Sequence, residues 1–497
     1  MKKKLIVLLV STFSALFLYC QAPLMLSSQQ AKEDFNWLQS ALEYVHPRLY
    51  KFEDKKVFDA RFDSLKQHLN SDISGLDFLA VVSQLNASVN CGHLYTIPQA
   101  ELQTEILEKK VLPLYIKVVK DEFYVFHDCS PQASIPNGAK ILSINGKKSS
   151  EILRLIKGGI ATDGYIETRK IRLMERYLSP LFQGFDLYYH LHVDRRTGFQ
   201  VEFQEQRTKA IQKIQLEGIN MKERRDILLE RYGINERSWY SVPSPQFELS
   251  KKEDLAILKL PRSFYNKKTD PNFDSLLHQA FAQLKEHKIH NLILDLRNNE
   301  GGSEHHQMEL MSYLYDQPFN LYQNIYLSHL DFRPLRSIII ERDTVDLLFN
   351  NDDEYMRKLS HNLWINNYKY SKNLRLNPPK ENVFTGQLYV LINGITFSSA
   401  ADLAADLRKT TNAIFIGEES GGLFEGPTGG NSIVIQLPNS KIMVRISPNI
   451  QIGSQYQKHP IGRGVLPDHP IEYFIDDLVR KRDPEMEKAF RLIKNRK

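Results

Sequence analysis

The chain has 497 residues, about three times the typical ~150-residue domain, so its length predicts two to four domains. Apolar residues make up 42% and charged residues 25%, which is ordinary globular usage and excludes a disordered or fibrous protein. Three cysteines are too few for a disulfide scaffold or a cysteine-rich zinc module. A net charge of +6 without a dense basic run gives no electrostatic reason to expect a nucleic-acid partner.

Residues 1–22 have the pattern of a signal peptide. Three lysines precede an apolar run of signal-peptide length, and Cys20 and Ala22 are suitable for cleavage. We therefore predict an exported protein, periplasmic or secreted, without stable membrane insertion. The alternatives are an uncleaved N-terminal anchor and a lipid on Cys20, which the bulky Tyr19 before it disfavours.

Residues 23–105 are predicted to form a helical domain. Apolar residues recur at the three- and four-residue spacing of one helix face, first at Phe35, Leu38, Leu42 and Val45. Similar runs follow, and the last of them ends at the polar tetrapeptide Asn90-Cys91-Gly92-His93.

Residues 106–215 are predicted to be rich in β-structure. Short apolar runs alternate there with turn signals such as Pro136-Asn137-Gly138 and Asn145-Gly146. Residues 216–250 are charge-rich and are interpreted as a linker, with an exposed pair of helices as the alternative.

Residues 251–497 have the clearest architecture. Apolar strands are predicted at Leu255 to Leu260, Asn291 to Leu296 and Leu388 to Ile392, and a helix follows each of them, the first of these helices being amphipathic. Strands that are apolar on both faces and alternate with helices are typical of an α/β layer fold.

Two adjacent serines are the first candidates for chemistry. Ser398 and Ser399 follow a predicted strand and a tight turn and begin an Ala-rich helix. The free N–H groups and the positive dipole at a helix start favour a developing anion. The simpler interpretation of either serine is a helix cap.

A paired-glycine turn is the second candidate. Gly301 and Gly302 follow the strand predicted at Asn291 to Leu296, and such turns expose backbone N–H groups as in anion nests and oxyanion holes. The alternative is a tight connection without a ligand. The lysine of a phosphate-binding loop is missing, which disfavours nucleotide binding.

A serine nucleophile needs a base, and His93 is the candidate because it ends the helical domain. A helix cap or a core residue is the alternative there. His305 and His306 with Glu309 suggest a metal, but no third ligand has a familiar spacing, so we predict neither metal nor cofactor. Cys91 and Cys129 are interpreted as buried thiols, with a disulfide as the alternative.

Four motifs in order resemble the S41 peptidases, the tail-specific (C-terminal processing) and tricorn-core family. They are Leu292 to Gly302, Leu388 to Asp402, Ala413 to Gly422 and Gly464-Val465-Leu466-Pro467-Asp468. Residues 135–156 also resemble a PDZ core. The resemblance implies a multidomain α/β fold, with an N-terminal helical domain, a PDZ-like β-rich domain, and a crotonase/ClpP-like α/β catalytic core that ends in a C-terminal helix.

The resemblance also implies roles for individual residues. Counting back three positions from Asp402 makes Ser399 the nucleophile, with oxyanion N–H groups from Ala400 and Gly302 and with His93 as the base. No lysine follows Glu418 where the tail-specific branch has one. The group that orients His93 is left open, with Glu418 and Asp468 as the only suggestions.

The function implied by this resemblance is that of an exported serine endopeptidase acting on peptides or unfolded proteins. The first alternative is a catalytically silent peptide-binding protein that keeps the fold. The second is ester or thioester chemistry on a crotonase-like fold, which the export signal disfavours. Oligomeric state and substrate preference are not predicted.

Overall fold

The computed structural model describes residues 23–176, 183–234, 244–264, 272–342, 356–360, 363–367 and 371–496. The predicted signal peptide, including Cys20, lies outside these residues. Within them, no helix is both long enough and apolar enough to cross a membrane. The mixed α/β multidomain architecture predicted from the sequence is confirmed; the PDZ-like assignment stays a prediction.

The N-terminal part is mainly helical. Its elements are β1 (Met25–Leu26), α1 (Ser28–Val45), α2 (Lys55–Lys66), β2 (Ile73–Ser74), α3 (Gly75–Ser88), β3 (Tyr95–Ile97) and α4 (Ala100–Glu108). Ser27 and Gln30 form a capping box that starts α1, and Ser74 caps α3. The apolar face predicted for α1 is fully buried, including Phe35 and Leu38.

The second part is a β-sheet covered by helices. Its elements are β4 (Leu114–Val119), β5 (Glu122–Asp128), β6 (Lys140–Ile144), β7 (Lys147–Lys148), α5 (Ser149–Lys157), α6 (Glu167–Met174), α7 (Gly184–His192), β8 (Gly198–Gln204), β9 (Ile211–Glu217) and α8 (Met221–Tyr232). The strands pair in the antiparallel order β4-β5-β6-β8-β9, and β7 pairs with β6.

The linker predicted over residues 216–250 contains a packed helix, α8. Helix α8 packs against the second part, where Arg224 is completely buried and donates to both carboxylate oxygens of Asp186. A buried ion pair of this kind ties a helix to its domain, because removing either partner leaves an unpaired charge inside the protein. The charge-rich pattern concealed this internal pair.

The third part holds the largest sheet. Its elements are β10 (Gln246–Ser250), β11 (Leu255–Lys259), α9 (Phe273–Glu286), β12 (Asn291–Asp295), α10 (Glu304–Leu314), β13 (Tyr322–Leu327), β14 (Ile339–Arg342), β15 (Met356–Ser360), β16 (Leu363–Asn366), β17 (Gln387–Ile392), α11 (Ser399–Thr410), β18 (Ile414–Gly417), β19 (Ile433–Gln436), β20 (Met443–Ile446), β21 (Asn449–Gly453), β22 (His469–Pro470), α12 (Ile475–Val479) and α13 (Pro484–Arg496).

The order of strands in the main sheet is β10-β11-β12-β17-β18-β22. All neighbours are parallel except β10, which is antiparallel to β11, so residues 246–250 of the predicted linker are an edge strand of this sheet. Parallel strands place their carboxyl ends at one edge. The turns after β12 and β17, which carry the candidate residues, therefore lie side by side.

One strand crosses between the parts. β3, from the helical part, pairs with β20 in a sheet of order β14-β19-β20-β3. A second small sheet has the order β15-β16-β13-β21. Because His93 comes two residues before β3, this pairing brings the end of the helical part against the turns of the main sheet.

Candidate active site

Ser398 lies in a strained turn between β17 and α11. Its φ of 52° and ψ of −132° are unusual for a residue with a side chain. The turn is held by two hydrogen bonds to the loop after β12: Phe397 N donates to Asn299 O at 2.9 Å, and Thr396 Oγ1 donates to Leu296 O at 2.9 Å. Strain that the surroundings maintain in this way is typical of functional sites.

His93 lies directly against this serine. Its Nε2 is 3.1 Å from Ser398 Oγ, across 305 residues of sequence. The ring stacks on Phe397 at 4.5 Å between centroids, and Gly429 is so close that a Cβ there would lie 3.1 Å from Nε2. Contacts with Phe397 and Gly429 thus hold the imidazole on two sides. A neutral imidazole can accept the serine proton at this distance.

The sequence predicts Ser399 as the partner of His93, but the residue against the histidine is the preceding one, Ser398. Ser399 is 3% exposed and its hydroxyl has no hydrogen-bond partner in the described chain, so it does not contact His93. The expected cap is also absent, since the Ser398 side chain makes no capping hydrogen bond. The reason is the turn at Ser398, which points its side chain away from the helix start and towards His93.

Because Ser398 rather than Ser399 lies against His93, the backbone amides that could bind an oxyanion also differ from those predicted. Ala400 N, a predicted oxyanion donor, donates to Phe397 O at 3.2 Å. Gly301 N donates to Asn299 Oδ1 at 2.8 Å. The amides of Ser399 and Gly302 donate to no protein acceptor in the described residues, and both residues line the cavity at Ser398. These two amides remain available to an oxyanion.

The glycine turn is packed too tightly for any other residue. Gly301 has a φ of +85°, and a Cβ there would lie 2.6 Å from Phe397 O and 2.8 Å from Ser398 Cβ. Gly302, with a φ of +140°, forms a bridge with Ser263 and would clash with its backbone at 2.8 Å. Gly301 therefore sets the close approach of the two turns.

Two arginines give the base an electropositive environment. Burial first, and then the charges of Arg169 and Arg445, lower the pKa of His93 to about 3. The Arg169 guanidinium lies 3.5 Å from the centre of the Phe397 ring, next to the imidazole. A cation beside the ring disfavours a second positive charge. His93 is therefore neutral at ordinary pH, as a general base must be.

Neither suggested orienting group is near His93. Glu418 pairs with Arg172 at 2.5 Å, and Asp468 pairs with Arg408 at 2.8 Å on another side of the main sheet. Both suggestions are wrong, because these carboxylates are already used to anchor other elements. Nδ1 of His93 is buried and has no partner in the described residues.

A carboxylate that the sequence did not single out lies beside the His93 turn. Asp163 is 1% exposed, and its Oδ1 accepts from Gly92 N at 2.6 Å. Its Oδ2 is buried without a donor in the described chain. The same loop is tied to the end of α3, since Gly164 N donates to Asn90 O at 2.9 Å. No local signal in the sequence connects Asp163 to His93.

The remaining candidates are placed elsewhere. His305 pairs with Asp274, whereas His306 stacks on Phe273, so the two adjacent histidines do not converge. Within the described ranges, no three side chains of the metal-binding types form a group that could hold a metal ion. Cys91 and Cys129 are both buried and free.

A cavity of about 900 Å³ opens at the serine and histidine. It is bounded by all three parts of the structure, and Ser398, Ser399, His93, Gly301 and Gly302 all line it. Its size is in the range of sites that take a ligand of several residues or a drug-sized molecule.

Residues 254–471 match the family model described as Peptidase family S41. The crystal structure of mature CPAF is similar over 94% of this chain and 97% of that chain, with 16% identity and a TM-score of 0.63. The structure of mature CPAF complexed with lactacystin is similar over 94% and 98%, with 15% identity and a TM-score of 0.62. At such identities the structural matches show a common fold. No curated protein matches the chain in sequence.

Proposed function

Because residues 254–471 match the model of peptidase family S41, we propose that the chain is a serine-type peptidase of this family and that it cleaves peptide bonds through an acyl-enzyme on Ser398, with His93 as general base. The observation that carries this proposal is the 3.1 Å contact between Ser398 Oγ and His93 Nε2. Neither residue has another role: the hydroxyl caps no helix, and Nε2 contacts no other polar group in the described residues.

The chemical steps follow from this pair. His93 removes the proton of Ser398 Oγ as the oxygen attacks the peptide carbonyl, and it then returns the proton to the leaving amine. The imidazole is neutral in the resting state because burial, and then the charges of Arg169 and Arg445, disfavour its charged form and lower its pKa. The acyl-enzyme is hydrolysed by a water that His93 activates in the same way. No metal or organic cofactor takes part.

The oxyanion is placed between the amides of Ser399 and Gly302. Both amides lack a protein acceptor in the described chain, and both residues line the cavity at Ser398. Ser399 thus takes the role first predicted for Ala400, whose amide is already bonded. Removing one oxyanion donor typically lowers the rate by ~10²–10³.

Asp163 is proposed to position the base through the backbone. Its hydrogen bond to Gly92 N fixes the peptide that precedes His93. The imidazole must stay within hydrogen-bond reach of Ser398. A rigid backbone turn before His93 can hold the ring there, which is part of what a carboxylate bonded to Nδ1 would do.

The substrate class is a peptide or an unfolded protein that can enter the cavity as an extended segment. The PDZ-like part, around residues 135–156, is proposed to capture the peptide. Export to the periplasm or the medium is also proposed, and the signal-peptide pattern of residues 1–22 supports it. The second candidate function is a silent peptide-binding protein, and the missing partner of His93 Nδ1 favours it.

A fluorophosphonate probe distinguishes the two functions. The wild-type protein should be labelled at Ser398, identified by peptide mass, and Ser398→Ala should lose both labelling and peptide cleavage. Ser399→Ala is the matched control: its hydroxyl has no partner, so labelling should persist. An unlabelled, folded wild-type protein would support the silent binder, and labelling that follows Ser399 would restore the register predicted from the sequence.

A further inference from the structure

Three carboxyl groups lie together next to the nucleophile. Asp402 lies in the first turn of α11, which begins directly after Ser398, and Glu304 lies in the first turn of α10. Asp406 is one turn beyond Asp402 and is buried behind it. Asp402 and Glu304 line the same cavity as Ser398 and His93. These three residues are called the acidic end of the cavity.

Within the described ranges, hydrogen-bond donors contact the acidic end, but no cation is paired with it. Tyr322 Oη donates to Asp402 Oδ2 at 2.9 Å, and Gln451 Nε2 donates to Glu304 Oε1 at 2.7 Å. Among the described residues, none of the three carboxyls forms an ion pair, and Lys409, on the same helix as Asp402 and Asp406, acts on these two only through its charge. Asp402 Oδ1 receives no protein donor in this part of the chain.

Burial is unfavourable for these groups, and the charge of Lys409 only partly offsets it. Desolvation and the neighbouring Asp406 raise the pKa of Asp402 well above its ordinary range, and burial raises the pKa of Asp406 to about 7. Such acids in a purely structural role would usually be paired with a basic side chain. The pairing partner is missing on the side that faces the cavity.

An independent observation points to a ligand at the same place. The hydroxyl of Ser399 is buried, has no partner among the described residues and belongs to a residue that lines the cavity beside Asp402. A buried polar group without a partner is unfavourable. A ligand with several N–H donors would satisfy Ser399 Oγ and Asp402 Oδ1 together. A bare metal ion does not fit, since no group of three ligating side chains able to hold one is present among the residues described.

We propose that the acidic end receives the basic side chain, lysine or arginine, of a substrate residue that flanks the scissile bond. The proposal rests on the peptidase function assigned above and specifies its substrate class. The cationic head bonds to the free oxygen of Asp402 and to Ser399, while the apolar stem lies along the cavity wall. An apolar side chain in this position would leave the same acceptors unpaired.

The test is a peptide library in which lysine, arginine, glutamine and norleucine are exchanged at each position around the cleavage site. Norleucine is lysine without its amine, so the ratio of kcat/KM for lysine over norleucine isolates the charge. Wild-type enzyme should favour the basic residues at one flanking position by about tenfold or more, as expected for hydrogen bonds to a charged group. Asp402→Asn, which can still accept from Tyr322, should lower that ratio to near one.

Asp274→Asn is the matched control, since Asp274 is exposed and pairs with His305. This variant should keep the wild-type ratio. If wild-type enzyme cleaves lysine and norleucine peptides equally at every position, or if Asp402→Asn keeps the preference, the basic subsite is wrong although the peptidase function stands. If no peptide is cleaved and no fluorophosphonate is bound, the proposed function itself fails.

Discussion

Replacing Gly301 by alanine tests whether the contact between the two turns positions the nucleophile. The new Cβ would lie 2.6 Å from Phe397 O and 2.8 Å from both Ser398 Cβ and Ser399 N, where ordinary contacts begin at 3.4 Å. The turn of Ser398 must therefore move by roughly 0.8 Å, and a misplacement of about 1 Å can cost ~10²-fold in rate. A positive φ adds about 1–2 kcal/mol of backbone strain.

Gly146→Ala is the control for that strain. Gly146 has nearly the same φ, +82° against +85°, but nothing lies within 4 Å of the position of its Cβ. Both variants should melt at a lower temperature than wild type, whereas only Gly301→Ala should lose about a hundredfold in kcat/KM. The measurement is peptide cleavage together with thermal unfolding. Full activity of folded Gly301→Ala would show that the two turns do not determine the position of Ser398.

Two further predictions concern His93. The folded pKa of His93, about 3, lies below the ordinary 6.5, so kcat/KM should show no loss as pH falls from 7 to 5; a drop in kcat/KM with a midpoint near 6.5 would contradict this environment. In the same range His93 takes up a proton in the unfolded chain but not in the folded one, so its own contribution to stability should decrease as pH falls. Asp163→Asn keeps an acceptor for Gly92 N and should therefore retain much of the wild-type kcat. Asp163→Ala removes that acceptor and should lower kcat by about tenfold or more with little change in KM. Equal kcat values in the two variants would refute the positioning role of Asp163.

Much of the site could be predicted from sequence because its local elements are encoded locally. The paired glycines, the strand before the serines and the end of α3 at His93 each follow from composition and spacing. The choice between Ser398 and Ser399 did not follow, because it depends on one backbone torsion. Counting from Asp402 assumed regular helix phase, whereas the turn at Ser398 has a φ of 52° that the neighbouring β12 loop imposes.

The prediction of a linker over residues 216–250 was wrong for a related reason. Residues 221–232 are charged like an exposed helix, but Arg224 finds Asp186 inside the protein, 38 residues away. A sequence pattern records that a residue is charged, and only the packing of distant segments decides whether its charge is solvated or paired.

The sequence by itself determined the alternation of strands and helices, the glycine turn and the two chemical groups, because hydrophobic periodicity and backbone preferences act over a few residues. The tertiary structure alone decided that His93 meets Ser398, since this requires β3 to pair with β20 some 350 residues away. It also decided that Asp163 contacts the His93 turn and that Asp402 lies at the cavity with a tyrosine donor but, among the described residues, no ion-pair partner. These contacts join segments that are far apart in sequence, so they form and stabilise the site only in the folded chain.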